Sequence, residues 1–252
     1  MGSEVASTVH PLEQQRRDNR SAVAALGQQP YGQRTDGIRS LLEAREKYDA
    51  GADLKHNEAG KSPPEGFVDP RPRVTVAGRV VLFRDNGKLI WMTLRDHTGE
   101  MQVAVSQKDV DAASFGVAKK TDLGDIVVAS GAVMKTKTGE ITVWAGGDSA
   151  IAAGSKCLVP PPEKHAGLTD IELRYRQRYV DLWATPETIT VFQLRSKIVA
   201  SVRRSLDARG FLEVETPMLQ TQAGGAAARP FATHMNALDI DCLLYTSDAA
   251  DE

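Results

Sequence analysis

The sequence predicts an α+β fold that is mostly β, with a small five-stranded barrel and helices before and after it. Three observations support this prediction. Short segments with alternating apolar residues follow one another from about residue 73 to residue 144, and Gly-containing turns separate them. Longer segments with apolar residues at helical spacing stand on either side. The 252 residues are enough for two ordinary domains.

The first 66 residues are polar and carry two helical patterns. One runs from about Leu12 to Leu26 and stops at Gly27. The other runs from Ile38 to Tyr48, with Asp36 and Gly37 before it as a cap. Residues 51–64 are polar and rich in Gly and Pro, which predicts a linker.

The barrel is predicted from five strands and one helix. Residues 74–82 alternate in polarity, and Asp85-Asn86-Gly87 is a strong hairpin signal. Further strands are predicted over 89–95, 101–106, 125–134 and 141–144, with a helix over 108–120. Three strands, a helix and two strands match the OB barrel. An SH3-like barrel is the main alternative, but it usually lacks the helix between its third and fourth strands.

Residues beyond the barrel predict a long helix followed by a strand. Three prolines at 160–162 close the barrel segment and form a semi-rigid spacer. Thr185-Pro186 then opens a helix that runs to about Arg209. Its apolar residues fall into two stripes, which indicates burial on two sides. A strand is predicted over residues 211–219.

Composition excludes several classes of protein. The net charge of −2 does not favour nucleic acid, so that interpretation depends on local basic residues. Cys157 and Cys242 are too few for a metal cluster or a disulfide framework, and a reducing cytoplasm is the expected compartment. We expect no membrane span, because no run approaches about 18 apolar residues. Residues 1–20 lack the apolar centre of a secretory signal.

Four motifs resemble one enzyme family. The segment Arg209 to Pro217, RGFLEVETP, is similar to motif 1 of class II aminoacyl-tRNA synthetases. Residues 224–231, GGAAARPF, are similar to the amino-acid-pocket loop of bacterial lysyl-tRNA synthetases. Residues 174–182, RYRQRYVDL, and 135–140, KTKTGE, resemble the same family. The sequence is therefore identified as a member of the lysyl-tRNA synthetase family, ending soon after motif 1.

The resemblance implies five segments. They are a helical extension and linker (1–66), an OB-fold anticodon-binding domain (67–156), an interdomain linker (157–180), a truncated class II catalytic domain (181–241) and an aberrant, non-native tail (242–252). The tail is separated because the family pattern breaks at Cys242.

The resemblance also implies an activity. The family activates lysine with ATP and Mg²⁺ and transfers it to tRNA(Lys) in the cytoplasm, as a homodimer. Its phosphate-binding arginines and lysine-selecting carboxylates belong to later motifs. We therefore expect no catalytic residue and no metal ligand in this chain, and an inactive fragment.

Trp91 and Gln102 are the main candidates for tRNA contact. If the second hairpin closes with a four-residue turn, both side chains lie on one face of the sheet. The residues alone leave Trp91 open as a base platform or a core aromatic. The resemblance assigns Trp91 and Gln102 to the anticodon, with help from Glu140. The family usually has phenylalanine in place of Trp91.

Weaker candidates complete the expected sites. Arg84 at a hairpin tip, and Arg16 and Arg17 on the first helix, are candidates for tRNA contact, with a solvated surface as the alternative for each. By resemblance, the lysine pocket is lined by Gly225, Gly224 and Ala226, and the dimer interface contains Phe211, Val214 and Pro217.

Two alternative functions are open. An aspartyl- or asparaginyl-type class II synthetase has the same order of domains, but residues 224–231 argue against it. A non-catalytic OB module that binds single-stranded nucleic acid is the other alternative, and such a module has no use for residues 181–241.

Overall fold

A computed structural model describes residues 10–32, 34–60, 64, 66–162, 168–215, 217–222 and 229–244. The chain divides into two compact units, Met1–Val180 and Asp181–Glu252. The elements in chain order are α1 (Pro11–Ala25), β1 (Ile38–Arg39), α2 (Leu41–Glu46), α3 (Ala50–Ala59), β2 (Arg73–Asp85), β3 (Leu89–Arg95), β4 (Glu100–Val110), α4 (Ala112–Lys119), β5 (Ile126–Lys135), β6 (Ile141–Gly147), β7 (Ile151–Ser155), α5 (Ile171–Arg176), α6 (Arg178–Ala184), α7 (Pro186–Asp207), β8 (Leu219–Gln220), β9 (Phe231–Met235) and β10 (Ile240–Leu244).

Five strands of the first unit close into a barrel in the order β2-β3-β4-β6-β5, and β5 pairs back onto β2. The β4–β6 pair is parallel, and the other pairs of the barrel are antiparallel. Helix α4 joins the third and fourth barrel strands. This arrangement confirms the OB barrel predicted from the sequence. Two short strands were not predicted: β1 pairs with β2, and β7 pairs with β5.

Period-two alternation places one face of each strand inside the barrel. On β3, Ile90, Met92 and Leu94 are at most 1% exposed, while the residues between them are partly exposed. Helices α1 and α2 add Val23 and Leu41 to the same core. The inner face of the sheet therefore forms the core, and the outer face carries the side chains that are available to a ligand.

Glycine is required at two positions near the outer face. Gly87 has φ +80° in the turn of the β2–β3 hairpin, which confirms the predicted turn. A Cβ on Gly131 of β5 would lie 2.0 Å from the carbonyl oxygen of Trp144 on β6. The close approach of β5 and β6 at Trp144 therefore depends on the missing side chain.

The linker predicted over residues 51–64 is wrong for residues 51–59, because they lie in helix α3 (Ala50–Ala59). Residues 61–63 of that segment lie outside the residues that the structure describes. Asp49 caps this helix by accepting hydrogen bonds from the N–H groups of Gly51 and Ala52. Asp53 of α3 is buried and accepts a hydrogen bond from the Lys135 N–H at 3.0 Å. A hydrogen bond to a residue 82 positions away in the sequence thus holds this helix in place, although the polar sequence of the helix does not predict it.

The predicted second helix begins later than expected. Ile38 and Arg39 form the strand β1, and Ser40 caps α2 in a capping box with Glu43. The cap assigned to Asp36 and Gly37 is therefore wrong.

Asp111 separates β4 from α4, so the strand is longer and the helix shorter than predicted. Its carboxylate accepts hydrogen bonds from the N–H and Oγ of Ser114 and from the Ser149 N–H, at 2.7–2.9 Å. The Ser114 Oγ accepts in turn from the N–H of Ile151 on β7. The Ser114 hydrogen bonds lower the pKa of Asp111 from 3.8 to about 2.

The second unit contains α7 and a three-stranded antiparallel sheet in the order β8-β10-β9. Of the strand predicted over residues 211–219, Leu219 lies in β8, and the described residues 211–215 have no regular structure. In β10, Cys242 to Leu244 pair with β9 or β8. Both apolar stripes of α7 are exposed, and residues such as Val191 and Leu194 are more than half exposed. No described helix is long and apolar enough to cross a membrane.

Candidate nucleic-acid interface

A single row of residues crosses the outer face of the barrel. Arg84 on β2 pairs with Trp91 on β3, which pairs with Ala104 on β4. Ala104 pairs in turn with Trp144 on β6. Directly paired residues point to the same face of a sheet, so the two indoles lie on either side of a small alanine. We refer to these four residues as the outer row.

The outer row shows that Trp91 is not part of the barrel core. Its neighbours Ile90 and Met92 fill the interior, whereas the indole of Trp91 is half-buried on the outside. The ring centroids of Trp91 and Trp144 are 6.2 Å apart with an interplanar angle of 83°, an edge-to-face pair. Ala104 is fully buried between them. This contact holds the two indoles nearly perpendicular to each other on the barrel exterior.

Gln102 lies on the same face, one row away from Trp91. It pairs with Thr93 on β3 and with Thr142 on β6. The buried Thr142 hydroxyl donates to Oε1 of Gln102 at 3.0 Å. This bond orients the amide, so that its NH₂ group is left to donate to a ligand.

Trp91 and Gln102 line one open cleft of about 530 Å³. The size is in the ordinary range for a ligand pocket. The other lining residues are Arg84, Asn86, Met134, Thr136, Lys137, Thr138 and Trp144. Sequence reasoning missed Trp144 as a site residue. Its alternation with the buried Val143 and Ala145 already places it on the outer face.

The β2–β3 hairpin carries Arg84 and Asn86 to one end of the cleft. Its base is fixed to α4, because the ammonium of Lys119 contacts both carboxylate oxygens of Asp85 at 2.7 Å. These hydrogen bonds lower the pKa of Asp85. Arg84 itself is exposed, so its guanidinium is available to an anion.

Glu140 lies beside this cleft but does not line it. Its carboxylate accepts a hydrogen bond from Arg45 of α2 at 3.2 Å, and its N–H donates to the Thr136 hydroxyl. Thr136 belongs to the turn that does line the cleft. Glu140 therefore supports the turn in this structure, and a contact with tRNA stays a prediction.

Arg16 and Arg17 have different environments. Arg16 is 8% exposed and donates to the carbonyl oxygens of Leu123 and Cys157 at 2.9 and 2.7 Å. The expected phosphate contact of Arg16 is therefore wrong, because its guanidinium is buried against the backbone of the barrel. Arg17 is 42% exposed and pairs with Glu13 one turn away.

The remaining predicted site residues lie outside this interface. Gly224, Gly225 and Ala226 fall outside the residues that the structure describes, so the lysine pocket stays a prediction. Phe211, Val214 and Pro217 are all exposed in the second unit.

The cleft has the chemistry of a site for an unpaired base. Indole faces accept the stacking of any base, and the oriented Gln102 amide can donate to a base edge. Arg84 and Lys137 supply positive charge at the rim for phosphate oxygens. This combination points to single-stranded nucleic acid.

Comparison with known proteins agrees with this geometry. The family described as "OB-fold nucleic acid binding domain" matches residues 74–147. The family described as "tRNA synthetases class II (D, K and N)" matches residues 170–248. An OB-fold nucleic-acid-binding barrel followed by a class II segment is the domain order of a class II aminoacyl-tRNA synthetase.

Curated relatives identify the branch of that class. A lysine–tRNA ligase of Enterococcus faecalis is 42% identical over 229 residues, which cover 91% of this chain and 43% of the relative. One from Anaeromyxobacter dehalogenans is 43% identical over 97% of this chain and 45% of the relative. One from Pelotomaculum thermopropionicum is 42% identical over 94% of this chain and 42% of its own length. The chain belongs to the lysine–tRNA ligase family, and it spans less than half the length of these relatives.

Proposed function

We propose that the barrel binds the anticodon loop of tRNA(Lys) and that the whole protein ligates lysine to that tRNA. The observation that carries the proposal is the cleft that brings Trp91 and Gln102 together on the outer face. Stacking on Trp91 supplies affinity for an extruded base, and Gln102 supplies selection at its edge. The lysine–tRNA ligases among the relatives support the choice of tRNA.

The orientation of the Gln102 amide predicts which base is preferred. Its free NH₂ group suits the carbonyl oxygen that uracil carries at C4, where cytosine has an amino group instead. The middle base of a lysine anticodon is uridine. A wrong base there would leave two hydrogen-bond donors facing each other.

The test is binding of an RNA stem-loop that carries a lysine anticodon, compared with one in which the middle base is cytidine. Wild-type protein should prefer uridine by roughly 1–3 kcal/mol, the range for one base contact. Gln102→Ala should reduce this preference while most of the stacking affinity is kept. Gln107→Ala, an exposed glutamine on the same strand, is the matched control and should change neither quantity. Equal binding of both RNAs by the wild-type protein would contradict the proposal.

The ligase activity concerns the whole protein. ATP would supply the adenylyl group that activates the lysine carboxylate, and Mg²⁺ would neutralise phosphate charge. In the part of the chain that the structure describes, no group of three or more His, Cys, Asp or Glu side chains could hold a metal ion. The described residues therefore do not form a Mg²⁺ site of that kind.

Amino-acid-dependent ATP–pyrophosphate exchange by the whole protein tests the choice of amino acid. We expect exchange with lysine and none with aspartate or asparagine. Exchange with either of those two amino acids would favour the alternative synthetase types. We place this activity in the cytoplasm, where charged tRNA serves protein synthesis.

We also propose that α7 and the segment after it contact a second copy of the chain. The exposed stripes of α7, with Phe211, Val214 and Pro217, leave a large apolar surface open to water, and such a surface is typical of an interface. Sedimentation of the whole protein should give a dimer, and Phe211→Asp with Val214→Asp should shift it towards monomer. A wild-type monomer at micromolar concentration would contradict this.

A further inference from the structure

The turn between β5 and β6 (residues 136–140) forms one wall of the cleft beside Trp91. Three of its residues line that cleft, namely Thr136, Lys137 and Thr138. The N–H of Thr136 donates to the carbonyl oxygen of Glu140 at 2.9 Å, and the N–H of Glu140 donates to the Thr136 hydroxyl at 3.1 Å. These bonds join the two ends of the turn into one unit. Its position against the cleft is therefore set by whatever holds those ends.

Asp53 of helix α3 holds the first end of the turn. The N–H of Val133 on β5 donates to the carbonyl oxygen of Pro72, the residue before β2. Because N–H groups alternate in direction along a strand, the N–H of Lys135 points to the same side, past the start of β2. The Asp53 carboxylate accepts that N–H at 3.0 Å. Helix α3 thus takes the place of a neighbouring strand at the end of β5.

The carboxylate of Asp53 is itself fixed and shielded from a ligand. Asp53 is only 4% exposed, and its Oδ2 also accepts a hydrogen bond from the Tyr48 hydroxyl at 3.3 Å. Tyr48 packs in turn against the barrel core. An effect of Asp53 on a ligand in the cleft must therefore pass through the turn, because the carboxylate is buried beneath it.

Arg45 of helix α2 holds the second end of the turn. Its Nη2 donates to Oε1 of Glu140 at 3.2 Å and to the carbonyl oxygen of Glu100 at 3.1 Å. Helix α2 is anchored, since Leu41 and Ala44 are at most 1% exposed in the barrel core. The side chains of Arg45 and Glu140 are 39% and 49% exposed, so water weakens this ion pair. Of the two attachments, the buried one at Asp53 is expected to contribute more.

We propose that helices α2 and α3 position the β5–β6 turn as a wall of the cleft, with Asp53 and Arg45 as positioning residues for RNA binding. This inference rests on the proposed RNA-binding function. A turn that is held at both ends before RNA arrives loses less conformational freedom on binding, and this raises affinity without any new contact. The helices before the barrel thereby belong to the binding apparatus, although Asp53 touches no RNA.

Hydrogen exchange of the RNA-free 252-residue chain tests the attachment itself. Asp53→Ala should speed exchange of the Lys135 amide about fivefold or more, the factor for one hydrogen bond. Asp53→Asn keeps an acceptor oxygen and should preserve most of the protection. Glu58→Ala removes an exposed carboxylate from the same helix and is the matched control. Unchanged exchange of Lys135 in folded Asp53→Ala would overturn the inference.

RNA titration tests the consequence for binding. Asp53→Ala should weaken binding of a lysine-anticodon stem-loop about threefold to tenfold, the scale expected when a side chain must be ordered on binding. Asp53→Asn should bind within about twofold of wild type, and Glu58→Ala should bind like wild type.

Double variants distinguish positioning of the turn from a general loss of structure. Lys137 lies on the turn, and Arg84 lies on the β2–β3 hairpin at the other end of the cleft. If Asp53 acts through the turn, its effect should shrink when Lys137 is already alanine. The effects of Asp53→Ala and Arg84→Ala should multiply within about twofold. A general loss of folded protein would multiply equally with both, and that result would overturn the inference.

The outcomes separate this inference from the proposed function. Unchanged affinity of Asp53→Ala, while Trp91→Ala weakens binding, would overturn the positioning role alone. Failure of the folded wild-type protein to bind the RNA would overturn both. If Asp53→Ala does not fold, Arg45→Met decides, because it should weaken binding about twofold and its effect should shrink in the Lys137→Ala background. Arg39→Met removes an equal charge from exposed β1 as its control, and equal affinities of these two variants would then overturn the inference.

Discussion

Replacing Trp91 with alanine distinguishes two roles of this side chain. If Trp91 stacks on a base, the variant loses RNA affinity, and if Trp91 supports the core, the variant loses stability. Trp91 lies outside the barrel, and Ile90 and Met92 beside it fill the interior. We expect Trp91→Ala to weaken binding of a lysine-anticodon stem-loop by roughly fivefold to 150-fold, which corresponds to about 1–3 kcal/mol for one stacked base.

The cost in stability should be much smaller than for a core aromatic. The substitution mainly removes the edge-to-face pair of Trp91 with Trp144, whose ring centroids lie 6.2 Å apart. Such a pair contributes about 0.5–1.5 kcal/mol. Alanine in place of a core tryptophan costs about 3–5 kcal/mol instead. A destabilisation of about 1 kcal/mol lowers the melting temperature of a small domain by roughly 4–8 °C.

Thermal melting and RNA titration on the same sample measure both quantities. Trp91→Phe is the matched control, because it keeps an aromatic face at the same position and should retain most of the affinity. A destabilisation above about 3 kcal/mol would show that the side chain supports the core. Unchanged RNA affinity in a folded Trp91→Ala protein would show that no base stacks there.

Three further predictions concern stability and charge. Lys156→Met should destabilise the barrel by about 3–5 kcal/mol in denaturant titration, because the side chains of Lys156 and Asp125 are at most 2% exposed and the change removes the ion-pair partner of a buried carboxylate. Exposed Lys108→Met is the control, and equal losses of stability in the two variants would contradict the prediction. The free energy of unfolding of the wild-type protein should fall as the pH drops from about 4 to about 2. Ser114 hydrogen bonds hold the pKa of Asp111 at about 2 in the folded protein, so the unfolded chain binds more protons in this pH range. Asp111→Asn should make this fall smaller, and an unchanged dependence of stability on pH in the variant would refute the prediction. Arg17→Ala should weaken binding of all RNA sequences alike and reduce the slope of log affinity against log salt by about 0.7–0.9. Arg34→Ala, which changes a side chain that is 90% exposed, is the control and should change neither the affinity nor the slope. A loss of affinity for RNAs with one particular base only would count against a phosphate contact.

The sequence alone predicts the barrel because its signals are local. Alternation over residues 89–95 gives the β3 strand with its observed bounds, and Asp85-Asn86-Gly87 gives the hairpin before it. A strand has a period of two residues, so the same alternation also fixes which side chains share a face. With a four-residue turn between β3 and β4, the alternation predicts Trp91 and Gln102 on one face, and the observed register confirms it.

Other elements depend on contacts that are distant in sequence. Helix α3 has a polar composition typical of a linker, and the buried Asp53 attaches it to the Lys135 N–H across 82 residues. The segment 211–215 shows the converse, because its apolar residues predict a strand and no regular structure forms there. In both segments local composition is a weak signal, and long-range hydrogen bonds or their absence decide the outcome.

The sequence by itself determined the barrel, its hairpins and the inward or outward direction of its strand residues, because turn chemistry and period-two alternation act between near neighbours. Only the tertiary structure decided which outward residues meet. Trp144 reaches Trp91 through the parallel β4–β6 pairing, and Arg73 reaches Trp144 through β5. Arg16 is buried by carbonyl groups more than 100 residues away. These contacts between distant side chains depend on how the strands pair to close the barrel, and no single segment of the sequence determines that pairing.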